Sequence, residues 1–178
     1  SPENNTSISL QFKEFLTNQY PNHRVIYTDG SKSESGCGAA TYDPHLSITR
    51  YIQPCPGSSS YDCEVAAIYS ALLTLHQMPP SLNTKIIIAS DSLSALTTIT
   101  EPQFKRTNDP LNIHIKNLLH HLQHLQHTYI SFMWIPSHKG ITGNECADKA
   151  AKTACTAPNA TKFPFISQNF MLSILKEE

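Results

Sequence analysis

Short runs of β-branched and aromatic residues alternate along the chain with apolar stripes at helical spacing, a pattern of mixed strands and helices. Leu10, Phe12, Phe15, Leu16 and Tyr20 offer enough apolar surface for a short helix or packing arm, residues 1–9 are polar and expected to fray, and Pro21 and Asn22 end the segment. A first strand is predicted over 24–28, where Val25, Ile26 and Tyr27 favour the pleated conformation; it stops at Asp29-Gly30, a carboxylate followed by a glycine turn. Strands over 36–42 and 47–53 follow, with a turn at Asp43-Pro44. Three consecutive strands with short connections make an antiparallel meander.

Beyond a Pro, Gly and Ser loop at 54–60, Val65, Ile68, Leu72 and Leu75 recur as the stripe of an amphipathic helix, with Glu64 in its first turn. Residues 85–90, centred on Ile86-Ile87-Ile88, form the continuous apolar run of a strand covered on both faces; it ends in Asp91, and a helix runs from Ser92 to about residue 100. A polar linker occupies 101–109. Pro110 suits the first turn of a long helix whose buried face is Ile115, Leu118, Leu122 and Leu125. His120, His124 and His127 share another face, read as solvated because no carboxylate or cysteine joins them. The last strand covers 129–135 and a glycine-bearing loop 136–143; Asn144 caps a final helix over 145–156.

This order gives an α/β fold: a five-stranded mixed sheet, three antiparallel strands and then parallel ones joined through helical crossovers, flanked by helices. Length implies one domain over 23–156, preceded by an arm at 1–22 and followed by a tail at 157–178. With 13 basic and 14 acidic residues the net charge of -1 advertises no nucleic acid, although it permits a polyanion. Five cysteines without a Cys-x-x-Cys pair argue against a disulfide framework and a thiolate zinc site, so a reducing intracellular setting, cytoplasm or nucleus, is expected. No run approaches the ~18 apolar residues of a membrane span. The chain opens Ser-Pro rather than Met and is expected to be a piece of something longer, monomeric in isolation.

In a sheet of this kind the carboxyl ends of neighbouring parallel strands open onto one crevice, so Asp29 and Asp91 should lie side by side, with Glu64 and Asp148 facing them. Four carboxylates without matching lysines or arginines would repel by several kcal/mol at protein-like dielectric unless cations fill the site. Oxygen-only ligation suits Mg²⁺, with Mn²⁺ as substitute, and two ions bridged by one acid suit phosphodiester hydrolysis. Asp29, being central, is the natural bridge.

Tyr27-Thr28-Asp29-Gly30-Ser31, Glu64 opening a helix, Ser90-Asp91-Ser92, and the run from Trp134 through Ser137-His138-Lys139-Gly140 and Gly143-Asn144-Glu145 to Asp148 together resemble a type I ribonuclease H. The similarity runs from about Val25 to Lys152. Its wording from Ser137 onward is most similar to the ribonuclease H domain of a non-LTR (LINE-type) retrotransposon polyprotein, in which that domain follows a reverse transcriptase. The resemblance implies that Asp29, Glu64, Asp91 and Asp148 bind two Mg²⁺ ions, and that His138 on its loop assists proton transfer or product release. It implies an RNA/DNA hybrid as substrate, contacted on the RNA strand by Gly30, Ser31, Ser60 and Asn144, with Ser59 and Asn108 near a DNA-strand phosphate. The basic extension found before the long helix in bacterial members is reduced here to Lys105 and Arg106. Two rival readings share the core: a transposase or integrase, which needs another acid set, and a non-catalytic connection module, which loses acids.

Overall fold

The protein is described by a computed structural model that covers residues 2–79, 84–101 and 110–165, with side chains from residue 7 onward. In chain order it forms α1 (Pro2–Gln19), β1 (Arg24–Ser33), β2 (Gly36–Asp43), β3 (Ile48–Gln53), α2 (Ser60–Gln77) and β4 (Thr84–Ser90). Then come α3 (Leu93–Thr100), α4 (Pro110–His124), β5 (Thr128–Trp134), α5 (Thr142–Ala154) and β6 (Thr161–Lys162).

The strands make one mixed sheet in the order β5-β4-β1-β2-β3-β6. β1, β2 and β3 pair antiparallel, whereas β4 runs parallel to both β1 and β5, as the helical crossovers require. Among the described residues the sheet thus has six strands rather than five. The sixth is a two-residue parallel addition to the edge of β3, Ile52 facing Thr161 and Gln53 facing Lys162. A segment that short has no periodicity by which sequence could announce it.

β4 shows why its apolar run is unbroken. Ile86 and Ile88 point into a core shared with α2, α3 and α4, while Ile87 and Ala89 point to the opposite face among Tyr27, Ile135, Ile141 and Ala147, where α1 and α5 pack. Both faces are dry. Ile68, Leu72, Ile115 and Leu122 close the larger core, and Ala40, Ala150 and Ala151 bring α5 close to β2 through small side chains. At the far end of the sheet Arg24 donates from Nε to Asp43 Oδ2 at 2.7 Å and again through its terminal guanidinium nitrogen. The other Asp43 oxygen accepts the His45 and Leu46 backbone N–H groups, so one carboxylate closes the β2–β3 turn and ties it to β1.

Several local expectations are corrected. β1 continues through Gly30 and Ser31 to Ser33, pairing with β2 as far as Gly36, so Asp29-Gly30 is not a turn. α1 begins at Pro2, so helical backbone extends ahead of Leu10. Leu125 lies beyond α4 and is 65% exposed, because the helix ends at His124. His120 and His124 are exposed with rings 4.5 Å apart, but His127 leaves that face in a left-handed backbone (φ 51°). All five cysteines are free.

Residues 160–165 pack on the body. Phe163 is buried, its ring edge-on to Tyr69 at 5.5 Å, and Phe165 meets the same tyrosine at 5.3 Å; the Phe163 N–H donates to the Gln53 carbonyl at 2.9 Å. Phe163→Ala is expected to destabilise the fold by about 3 kcal/mol, roughly 6–12 °C in Tm, measured by scanning calorimetry. A change within error would show that this segment does not belong to the cooperative unit.

Candidate active site

Parallel pairing of β1 with β4 stops at Thr28 opposite Ser90, so the next residue on each strand, Asp29 and Asp91, meets its neighbour where the ladder opens. The third acid comes from α2, and Gly30 is the reason it can. A Cβ built there would lie 2.4 Å from the Glu64 backbone nitrogen and 2.6 Å from the Cys63 carbonyl carbon. Only a residue without a side chain lets the helix lie on the strand, and that contact sets Glu64 beside Asp29.

Carboxylate oxygens of Asp29, Glu64 and Asp91 all lie within 4.8 Å of one another. Asp29 is 5% exposed and Glu64 Oε2 is buried with no hydrogen-bond partner. The electrostatics follow. Burial raises the Asp29 carboxyl to about 7, helped by Asp91 and Asp148 and opposed by Lys152. Burial likewise lifts Glu64 to about 9, with Asp29 and then Asp91 adding to the rise and a hydrogen bond from the Gly30 backbone opposing it. An oxygen-only donor set with an orphaned buried carboxylate oxygen and charges that cannot all be held fits a hard divalent cation.

Asp148 stands apart. It lies on α5, and its Oδ2 accepts from Lys152 Nζ at 2.7 Å, an i,i+4 pair. Its carboxylate is grouped with His138 and Glu145, the potential ligand atoms of the three lying within 4.8 Å of one another. Of the four acids expected to face one crevice, three have carboxylate oxygens in mutual reach, while Asp148 acts on Asp29 through its charge and is paired with Lys152. The spacing of Asp148 and Lys152 was the available signal. His138 is exposed in a left-handed backbone (φ 53°) in the loop ahead of α5.

The remaining residues singled out from sequence divide by their engagement. Ser59 is the N-cap of α2: its Oγ accepts the Asp62 N–H at 3.1 Å, and Asp62 returns a bond to the Ser59 backbone at 2.7 Å. That capping box makes Asp62 the first-turn acid and leaves Glu64 in the second turn; Ser59-x-x-Asp62 was readable as such. Ser60 is exposed at the helix start, Ser31 half-buried on β1. Asn144 does not cap α5. It sits inside the helix, whose N-cap position is Ile141, and is buried, with Nδ2 donating to Asp91 Oδ2 at 3.1 Å. Gly143 permits this approach, since a Cβ there would meet the Tyr27 ring at 2.1 Å. Sequence reasoning missed Trp134, whose Nε1 donates to the Asp91 carbonyl at 3.1 Å across β5 and β4. Asn108, Lys105 and Arg106 lie outside the described residues.

A family model described as RNase H matches residues 21–156. The Gag-Pol polyprotein of bovine immunodeficiency virus (strain R29) is 29% identical over 161 residues, covering 87% of this chain and 9% of the polyprotein, so the chain spans less than a tenth of that relative's length. Among solved structures, the RNase H1 of the halophilic archaeon Halobacterium salinarum NRC-1 superposes with a TM-score of 0.53 at 18% identity, covering 74% of this chain and 96% of that one. That likeness bears on the fold. Among the described residues no helix is long and apolar enough to cross a membrane.

The raised acids give the folded chain a stability that is present below the ordinary carboxyl range, near pH 4, and is lost as pH rises through about 7 for Asp29 and about 9 for Glu64. In chelator-treated buffer Tm should fall over that window. Asp29→Asn, which removes one of the repelling charges, should be the more stable protein at pH 8 by on the order of 1 kcal/mol, about 2–4 °C, and should lose the advantage near pH 4. Parallel melting curves at the two pH values check this; an Asn variant less stable than wild type at pH 8 contradicts the repulsion.

Proposed function

The chain belongs to the RNase H family, and on that premise we propose that it cuts the RNA strand of RNA/DNA hybrids at the crevice formed by Asp29, Glu64 and Asp91. The observation that carries this is the convergence of three buried or half-buried carboxylates, one of them with an unpartnered oxygen, at the opening between β1 and β4. Asp29, Glu64 and Asp91 would hold Mg²⁺ or Mn²⁺, with Asp29 and Asp148 toward a second ion, and bound cations would supply charge neutralisation and an activated water for phosphodiester hydrolysis.

The chain's own residues do the rest. Asp29, paired with Ala40 of β2 one residue past the end of the β1–β4 ladder, would fix where the reacting phosphate sits. Gly30 and Ser31 continue that strand past the acids, and Ser60 stands exposed at the start of α2, a line along which the RNA backbone and its 2′-hydroxyls would lie. His138, exposed and near Glu145 and Asp148, would pass a proton to the departing oxygen or help release product. Asp148, paired with Lys152 at 2.7 Å, would have its second carboxylate oxygen available to a cation.

A retroelement polyprotein is the source we favour, with a reverse transcriptase upstream. The similarity to a viral polyprotein many times longer than this chain supports that reading, and the wording of the Ser137–Asp148 run favours a LINE-type element. The non-catalytic alternative is disfavoured because every acid is retained. The transposase or integrase alternative is disfavoured because Glu64 sits on the first helix after the meander.

The test is cleavage of a labelled RNA/DNA hybrid in Mg²⁺, with EDTA and single-stranded RNA as controls. Hybrid should be cut, and neither control should give product. Asp29→Asn should lower kcat by several orders of magnitude with folding intact, while His138→Ala should cost on the order of 10²-fold or less. Equal cutting of single-stranded RNA would overturn the substrate assignment, and an Asp29→Asn enzyme with unchanged turnover would overturn the site.

A further inference from the structure

We propose that Asn144 is a positioning residue that sets the orientation of Asp91, rather than a contact for the RNA strand; the inference rests on the reading of the acid cluster as the reaction centre. Asn144 is 3% exposed, on the first turn of α5, with its amide directed into the protein. Its Nδ2 donates to Asp91 Oδ2 at 3.1 Å and its Oδ1 is buried without a protein partner. An amide carries donor and acceptor on one carbon, so engaging Nδ2 with Asp91 fixes the whole group.

Asp91 needs such a hold. It follows β4 at a bend and is not itself in the ladder, so the pairing that immobilises Asp29 does not reach it. Its main chain is held instead from β5, by Trp134 Nε1 on the Asp91 carbonyl at 3.1 Å and by the Ile135 N–H on the Ser90 carbonyl at 3.0 Å. The Ser92 N–H turns back to Ser90 Oγ at 3.1 Å. These bonds fix the backbone but leave the carboxylate free to rotate, and the Asn144 amide removes that freedom.

The residue type matters as much as the place. A lysine or arginine at 144 would also orient Asp91, yet its charge would satisfy the cluster internally and weaken the demand for a cation. A neutral donor fixes direction and leaves the negative charge in force. One accepted hydrogen bond leaves most lone pairs of the carboxylate available to a metal, the arrangement in which partners behind a ligand set both affinity and activity.

The experiment uses the full chain and compares wild type with Asn144→Ala and the isosteric Asn144→Asp. Two readouts are taken: the Mg²⁺ concentration giving half of the metal-induced rise in Tm, and kcat and KM on an RNA/DNA hybrid. Asn144→Ala is expected to raise the required Mg²⁺ about tenfold or more and to lower kcat by roughly 10–100-fold, with KM for hybrid unchanged. Asn144→Asp, which turns the donor into a fourth local charge while keeping the volume, should lose at least as much kcat; it also keeps the test valid if the alanine variant does not fold. A raised KM with unchanged kcat and unchanged Mg²⁺ requirement would overturn the proposal and make Asn144 a substrate contact. A wild-type chain neither stabilised by Mg²⁺ nor active on hybrid would overturn the reading of the site, whereas a Mg²⁺-stabilised wild type matched by both variants would overturn only the role of Asn144.

Discussion

Mutual repulsion among three carboxylates held out of water is the constraint to which the surrounding structure answers. Burial first, and then the neighbouring carboxylates, push the Asp29 carboxyl up to about 7 and Glu64 to about 9. The three acids stay together because each is anchored through its backbone and its neighbours. Asp29 is locked in the sheet, Asp91 follows directly on β4, and Glu64 rides a helix pressed onto Gly30. The fold's stability is thereby spent on keeping an unfavourable charge arrangement ready for a cation.

The acids fall into an inner and an outer set with different mechanics. The inner three belong to the sheet and to α2, the elements with the driest packing, in which Ile68, Leu72 and Ile86 are completely buried. Asp148 belongs to α5, reached through the loop that carries His138, and it is paired with Lys152 instead of joining the trio. A rigid inner group paired with an outer group on a loop and helix surface suits chemistry in which one side of the reacting phosphate is fixed and the other must let product leave.

How much of this was legible in the chain depends on whether a feature is local. The β4 run, the α2 stripe and the strand-end position of Asp91 are local patterns, and each appears where its periodicity put it. Gly30 was visible as a glycine but not as a point of helix contact, because a turn and a close approach select the same residue. Asn144 looked like a helix cap because Asn, Gly and a following acid are cap chemistry; its bond to a strand-end aspartate many residues away has no local trace. The Asp148–Lys152 pair and the Ser59–Asp62 box, by contrast, carry their spacing openly and could have been read. Six strands instead of five came down to two residues held by tertiary pairing alone.

That last pairing has a consequence for handling the molecule. The family similarity stops at residue 156, yet β6 covers the main chain of Ile52 and Gln53, and Phe163 and Phe165 cover Tyr69. A chain trimmed to the similarity boundary would expose an open strand edge beside an uncovered aromatic surface, the combination by which one copy of a sheet recruits the next. The acid cluster, at the opening between β1 and β4, is separated from that edge by β2 and would keep all of its residues. Such a preparation would associate slowly and in proportion to concentration while its acid cluster stayed intact.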